Sequence, residues 1–555
     1  MSVIRRRRPG TAPPASGVLP AAAFWVPLTL VIACYAVLAW QQLDYGLEFD
    51  DAYNLTVVEN LAEGRGYASN GTIFEGGLKP FDEYISTGPV LLVPTAVMWW
   101  LTDGALWAVR LPPLAFFALY LVFLWKLGRG AGGRWGALAA VVAPLTMAVA
   151  VHDLTTLSLV PGRLVGEFAA CGLVVGAAYA LSRGHPLFGG LLAGLAVQTK
   201  IVFVVAGAAV LLASLAGRWV AGRPWPWRHV LLCVAGAALP TVAFELFRLS
   251  QLGVADYVAN ITQFAGFVEG QTTEAAPDIK GRIGSVAPIF SIFGLAIVAH
   301  AVLVLAAAAT LSAPRRAPDT PAHATPHTGE APAPSTEPAG TRSAVRVSPR
   351  LSWLTRLSST TAPTGSDVTT AATGLFLAGL AQTALWLFVS QQTSSRQGLP
   401  AILLCVPVVL VAATVALRDL RRRSTGRGRA FAGVMVALAW ASAVTLVAWQ
   451  GWKVSQDPHG DLLRAEQERG ASAVLEADTP SLPVDGWWQL HELQVLTDVP
   501  PSTTPGTEPP TVLVFNSIRA LVETGRPDAR VFLDRCGSVL EENPTMVVCQ
   551  PPSPR

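Results

Sequence analysis

Apolar runs dominate the chain, and short polar stretches separate them. The runs fall near 21–40, 88–102, 106–126, 135–152, 163–182, 187–200, 201–216, 229–250, 285–311, 369–390, 398–417 and 430–450. Most approach the length at which a helix crosses the hydrocarbon core of a bilayer. None alternates with a period of two, which excludes a membrane β-barrel and leaves helices as the structure that satisfies the backbone in lipid. The run 88–102 is shorter, contains Pro89 and Pro94, and ends in Trp99-Trp100, residues that favour the membrane interface. It reads as a juxtamembrane or re-entrant helix. The pattern therefore predicts an all-α polytopic membrane protein with about eleven transmembrane helices. Juxtamembrane helices in the first outer loop and a small C-terminal α+β domain complete the expected architecture.

Charge placement adds sidedness. Of the 555 residues 52% are hydrophobic and 14% charged, and the net charge of +3 matters less than where the basic residues stand. Arg5, Arg6, Arg7 and Arg8 precede the first run and place the N-terminus in the cytoplasm. The stretches 126–134, 183–185, 218–229, 315–356 and 418–429 are basic, whereas 153–162, 251–283, 391–397 and the tail after 453 are mixed or acidic. With every basic stretch inside, only one crossing fits between the loop before 88 and the stretch 126–134, so 88–102 stays on the outer side.

Five regions result: a basic cytoplasmic tail (1–20), a membrane module (21–311) with an outer loop (41–105), a linker (312–367), further transmembrane helices (368–452) and an extracytoplasmic domain (453–555). The linker has the Pro, Ala, Thr and Ser content of a disordered segment, with 351–357 its only candidate for a short helix. In the tail, 511–515 and 546–548 are strand candidates. Cys34, Cys171, Cys233 and Cys405 lie in apolar runs as small hydrophobes. Cys536 and Cys549 are the pair in the polar tail and suggest a disulfide in an oxidising compartment, which puts the tail outside.

The first outer loop carries the densest candidate chemistry. Asp50 and Asp51 follow the first spanning helix, and Leu55, Val58, Leu61 and Ala62 continue in helical spacing to Gly64 and Gly66. This predicts an amphipathic helix lying on the membrane with two carboxylates at its N-terminus. Spacing alone leaves two roles open: capping and pairing with the helix dipole, or a general base beside an apolar surface.

The loop resembles the first outer loop of the C-type glycosyltransferases that use polyprenyl-phosphate sugars, among them the protein O-mannosyltransferase, aminoarabinose transferase and actinobacterial arabinofuranosyltransferase families. The matching residues are Asp50-Asp51-Ala52-Tyr53, Asn60-Leu61-Ala62-Glu63-Gly64-Arg65-Gly66 and the run 85–94. The resemblance implies that Asp50 is the base that activates the acceptor hydroxyl, with Asp51 in support and Tyr53 nearby. Gly194-Leu195-Ala196-Val197-Gln198-Thr199-Lys200 resembles the family element whose lysine meets the donor lipid phosphate, and a lysine between apolar runs is costly without such a partner. Arg163-Leu164-Val165-Gly166-Glu167 resembles a family element that opens a helix on the outer side, with Glu167 about one turn in. Arg396 resembles a basic residue placed near the donor phosphate; Asp82, Glu83 and Asp153, the last beside His152, are further candidates for substrate contact. One departure stands out: Thr87-Gly88 precedes Pro89 where relatives acting on lipid A often carry Glu-Lys. The likeness covers residues 20 to about 420 and stops short of the tail.

The implied reaction moves a sugar from a polyprenyl-phosphate carrier to a hydroxyl of a glycan, lipid or protein at the outer face of the plasma membrane. No cofactor is expected, since neither a His/Cys cluster of ligand spacing nor a glycine-rich nucleotide loop is present; the resemblance leaves a divalent ion at the acidic pair open without predicting one. The expected partners are the donor, the acceptor and the bilayer, with no nucleic acid. The alternative is a lipid or sugar transporter or flippase, which would place ionisable residues near the bilayer midplane. Here the spanning runs are nearly free of charge.

Overall fold

A computed structural model describes residues 18–43, 46–47, 49–71, 76–147, 159–220, 227–270, 280, 282, 290–312, 365–388, 398–423, 427–456, 459–479, 490–497, 499, 513–516, 536–543 and 546–551. The Arg5–Arg8 run, His152, Asp153, Arg396 and the segment 351–357 lie outside them.

The membrane part begins with α1 (Val18–Gln42). The first loop follows, with α2 (Phe49–Ala62), a hairpin of β1 (Ala68–Gly71) and β2 (Gly76–Pro80), α3 (Pro89–Leu101) and α4 (Leu106–Val109). The bundle continues with α5 (Leu111–Val142), α6 (Glu167–Ser182), α7 (Pro186–Thr199), α8 (Val204–Val220), α9 (Trp227–Gly270), α10 (Ile292–Ser312), α11 (Gly365–Phe388), α12 (Leu399–Arg423) and α13 (Arg427–Gln456). Among the described residues seven helices are long and apolar enough to cross a membrane. One of them, Leu106–Thr146, is 41 residues long and reverses at Gly133, whose φ of 66° only glycine adopts without strain. A Cβ at Gly128 would fall 2.4 Å from the Gly136 carbonyl, so the two arms pack backbone to backbone.

Side-chain contacts sort the helix ends into two groups. Phe24 stacks edge-on against Trp135, Gly130 touches Val368, Gly133 approaches Arg418, and Gly217 meets Thr370. At the other end Gln42 meets Gly162, Ser291 meets Thr146, Gln382 meets Val202, and Gln450 donates to the Leu145 carbonyl at 2.8 Å. The chain thus runs back and forth through α1, both arms of α5, and α6 to α13. Exposed tryptophans ring both ends: Trp25, Trp219 and Trp227 on the arginine-rich side, Trp40, Trp100, Trp107 and Trp452 on the other. Amphipathic aromatic rings take this interfacial level in a bilayer.

Two helices of the bundle are short. At about 1.5 Å per residue, α6 and α7 span roughly 24 and 21 Å, less than the ~30 Å hydrocarbon core. Every residue of α6 except Tyr179 is buried, so it meets neighbouring helices rather than lipid and has no need to match the bilayer. Glu167 begins α6 and Lys200 follows α7, both at the end that carries the first loop.

The first loop departs from expectation in one respect. Residues 51–58 of α2 are buried without interruption, so α2 is enclosed rather than amphipathic. The hairpin, α3 and a tail helix cover it. The membrane-facing helix is α3: Leu91, Leu92, Thr95 and Ala96 pack inward, while Val93, Val97, Trp100 and Leu101 form an exposed apolar stripe at helical spacing. It does not cross, because Gly88 N–H donates to Thr199 O at 2.8 Å and Arg110 binds Asp51, both at the same end of the bundle. Past Gly253, α9 returns to the loop, where Asn260 donates to Phe81 O at 3.1 Å and Phe267 meets Tyr84 edge-on.

The tail contributes α14 (His459–Glu476), α15 (Leu490–Thr497) and three strands, β3 (Leu513–Asn516), β4 (Ser538–Glu542) and β5 (Met546–Gln550). The sheet order is β3-β5-β4, antiparallel, with Leu513 opposite Cys549 and Asn516 opposite Met546. The sequence pattern locates β3 and β5 but not β4, whose residues are mostly exposed. Cys536 and Cys549 form a disulfide with a Cα–Cα distance of 5.7 Å.

Candidate functional site

The acidic pair sits in the first turn of α2, where helix N–H groups leave a partial positive charge. The two carboxylates differ. Asp51 is fully buried, and its Oδ2 accepts from Arg110 Nη1 at 3.0 Å while its Oδ1 accepts from Leu164 N–H at 2.7 Å. Arg163 Nε stands 3.7 Å from the same carboxylate. Arg110 is itself buried and also donates to Gly46 O at 2.8 Å and Gly162 O at 3.4 Å. Asp51 is therefore a tether that ties α2 to the segment 160–164. Asp50, its half-buried neighbour, is the carboxylate of the pair with solvent access.

The segment 160–166 is the hub of the site. Gln42 at the end of α1 accepts from Gly162 N–H at 2.5 Å. Asn54 donates to Leu164 O at 2.6 Å and to Thr87 Oγ1 at 3.2 Å. Gly166 has a φ of 79°, and the turn it makes starts α6 at Glu167. Glu167 is thus the first residue of its helix, not one turn inside it as the sequence pattern implies. From there its Oε1 accepts from Lys200 Nζ at 2.6 Å, and the same ammonium donates to Val165 O at 3.1 Å. Both side chains are mostly buried, 15% exposed for Lys200 and 4% for Glu167. A buried pair of this kind holds two charges that neither residue could carry alone at low dielectric.

Asp82 and Glu83 occupy a separate knot. Asp82 Oδ2 accepts from Tyr53 OH at 2.7 Å and Ser69 Oγ at 2.6 Å, and its Oδ1 from Tyr84 N–H at 3.0 Å. Glu83 pairs with Lys79 at 3.0 Å. Burial first, and then the Asp82 charge, push the Tyr53 hydroxyl well above the ordinary tyrosine range. Tyr53 and Asp82 fasten α2 to the hairpin instead of facing an open surface.

Gly88 explains the Thr87-Gly88 departure. A Cβ there would lie 1.9 Å from the Gln198 carbonyl, so the two strands of backbone meet where any side chain would clash. Thr87 is buried against Leu164 O. Arg110, Gln42 and Asn54 escaped the sequence reading. The signal for Arg110 was a lone cation within an apolar run; for the two amides there was none.

A continuous set of contacts brings Asp51, Arg163, Glu167 and Lys200 to one end of the bundle, and Asp50 stands beside Asp51 in the first turn of α2. Among the described residues no group of three or more His, Cys, Asp or Glu could hold a metal ion. No family model and no curated protein matches the sequence. Solved structures do. ArnT from Cupriavidus metallidurans bound to undecaprenyl phosphate superposes with a TM-score of 0.55 at 13% identity, over 95% of this chain and 98% of that one. The apo state of the same protein gives 0.52 at 14% identity over the same shares. The apo oligosaccharyltransferase of Archaeoglobus fulgidus gives 0.44 at 12% identity, over 93% of this chain and 73% of that one, too low to bear on the argument. At these identities the likeness speaks for architecture, and the chain is a multi-pass membrane protein with the fold of the C-type glycosyltransferases that its first loop resembles.

Proposed function

We propose that the protein transfers a sugar from a polyprenyl-phosphate carrier to a hydroxyl acceptor at the extracytoplasmic face of the plasma membrane. The observation that carries this reading is that the segment 160–166 holds Asp51, the neighbour of Asp50, at one point and Lys200 with Glu167 at another, in a fold shared with a protein that binds undecaprenyl phosphate.

In this reading Asp50 removes the acceptor proton as the oxygen attacks the anomeric carbon. Lys200 and Arg163 stabilise the phosphate that leaves with the lipid, an electrostatic role strengthened by exclusion of water. Arg396 keeps its expected role toward the donor phosphate and Asp153 its expected role in substrate contact; both lie outside the described residues. Asp51 keeps Asp50 in place through Arg110, and Tyr53 with Asp82 holds the helix itself. The basic end of the bundle faces the cytoplasm, which puts the site and the tail outside.

The test is Asp50→Asn in purified protein supplied with a polyprenyl-phosphate sugar. Transfer should fall by on the order of 10²–10⁴, the contribution of a general base, with the fold intact. Full activity in both Asp50→Asn and Asp51→Asn would end this mechanism, and no transfer by the wild-type protein would end the reading.

A further inference from the structure

The soluble tail reaches back onto the segment that leads into the acidic helix. Leu47 N–H donates to Gln467 Oε1 at 3.1 Å, and Gln467 Nε2 donates back to Leu47 O at 2.5 Å. One side chain of α14 thus satisfies both backbone groups of one residue in the first loop. Gln467 is 2% exposed, so these bonds do not compete with bulk water. The adjacent carbonyl, Gly46 O, accepts from Arg110, whose other nitrogen holds Asp51. The contacts therefore form a series: Gln467, the 46–47 backbone, Arg110, Asp51.

Two further features bear on this series. Val495 of α15 packs into the apolar cluster that contains Leu47, Ala52 and Leu55, so the tail also touches α2 directly. A small cavity lined by Leu43, Gly46, Leu47, Leu106, Gln467 and Leu496 lies beside the 46–47 backbone. The amide pair and the Arg110 bond to Gly46 O hold that backbone beside the cavity.

We propose that Gln467 is a positioning residue. It holds the 46–47 backbone and, through Arg110 and Asp51, keeps Asp50 aligned with the Lys200–Glu167 pair. The tail domain is then a working part of the site. This rests on the transferase reading, and a displacement of about an ångström at a reacting group costs up to ~100-fold in rate.

The test uses the full-length protein in lipid nanodiscs. Gln467→Met keeps the side-chain volume and removes both hydrogen bonds; Gln467→Glu keeps the acceptor for Leu47 N–H. Arg469→Gln, which breaks the exposed pair with Glu541, controls for general disturbance of the tail. Amide exchange over residues 46–54, exchange over β5, and kcat and KM for an undecaprenyl-phosphate sugar are measured together. Gln467→Met should speed exchange over 46–54, leave β5 unchanged, and lower kcat roughly 10- to 100-fold with KM for the donor held. Gln467→Glu should fall between wild type and Gln467→Met, and Arg469→Gln should match wild type. Unchanged exchange over 46–54 overturns the brace. Faster exchange with a normal kcat overturns the positioning role, as does an equal loss of kcat in Arg469→Gln. If Gln467→Met exposes β5, Gln467→Glu decides by the same criteria. A normal kcat in the Gln467 variants beside an inactive Asp50→Asn would sink this proposal alone. No transfer by the wild-type protein would instead sink the transferase reading and leave the exchange result standing.

Discussion

Asp51 and Asp82 belong to the same loop, and the side chain of each is 0% exposed. Their environments are otherwise opposite. Asp51 is held by the Arg110 guanidinium and a backbone N–H, with Arg163 nearby, and leads on through the segment 160–166 to Lys200 and Glu167. Asp82 is held by two hydroxyls and a backbone N–H, with Lys79 no closer than 3.8 Å. The first is one node of an electrostatic network that spans the site. The second is a local knot in which neutral donors make the hydrogen bonds and Lys79 stands at the edge. Burial of a carboxylate therefore does not by itself identify chemistry; what supplies its counter-charge does.

The comparison can be broken most sharply at Arg110. Arg110→Met leaves Asp51 buried without its guanidinium, and removing one partner of such a pair costs about 3–5 kcal/mol. Chemical denaturation in detergent should show that loss together with loss of turnover. A stable and active variant would mean that Asp51 does not depend on the pair. Asp82→Asn should cost less, about 1–3 kcal/mol for hydrogen bonds to a charged group, and leave turnover within a few-fold once folded. A folded but inactive Asp82→Asn would move Asp82 into the reacting set.

The smallest effect belongs to Tyr53→Phe, which removes one of the bonds to that carboxylate, worth about 1.5 kcal/mol near neutrality. It has a pH signature. The folded hydroxyl titrates far above the ordinary value of 10.0, so its contribution is complete below that value. It declines as the pH rises further, because only the unfolded chain then releases the proton. Tyr53→Phe should flatten the alkaline decline in stability relative to wild type. Parallel pH curves for the two proteins would show that the Tyr53–Asp82 bond does not matter to folding.

Much of the membrane architecture was legible because lipid imposes length and apolarity on each span, and basic loops mark one side. The resemblance of their motifs singled out Asp50, Asp51 and Lys200, where spacing alone left the acidic pair open, and the structure holds Asp51 and Lys200 on the same segment. The enclosure of α2 was not, since burial on every side depends on partners far along the chain, including α15. Arg110 hid inside a run whose hydropathy passes for membrane. Gln467 gave no signal, because an amide in a polar helix looks solvated until its partner is known. The start of α6 was displaced by Gly166, whose left-handed turn cannot be distinguished in sequence from a glycine within a helix.

The Gln467–Leu47 contact also sets an order of assembly. Residue 47 follows the first helix, whereas its partner lies 420 residues further on and follows the last crossing. Chains are made from the N-terminus, so through most of synthesis the acidic helix waits with its anchoring backbone unfastened. A ribosome that stalls before α14 releases a bundle that contains the acidic pair and Lys200 but lacks the clasp. On this scheme the site is finished only when the chain itself is.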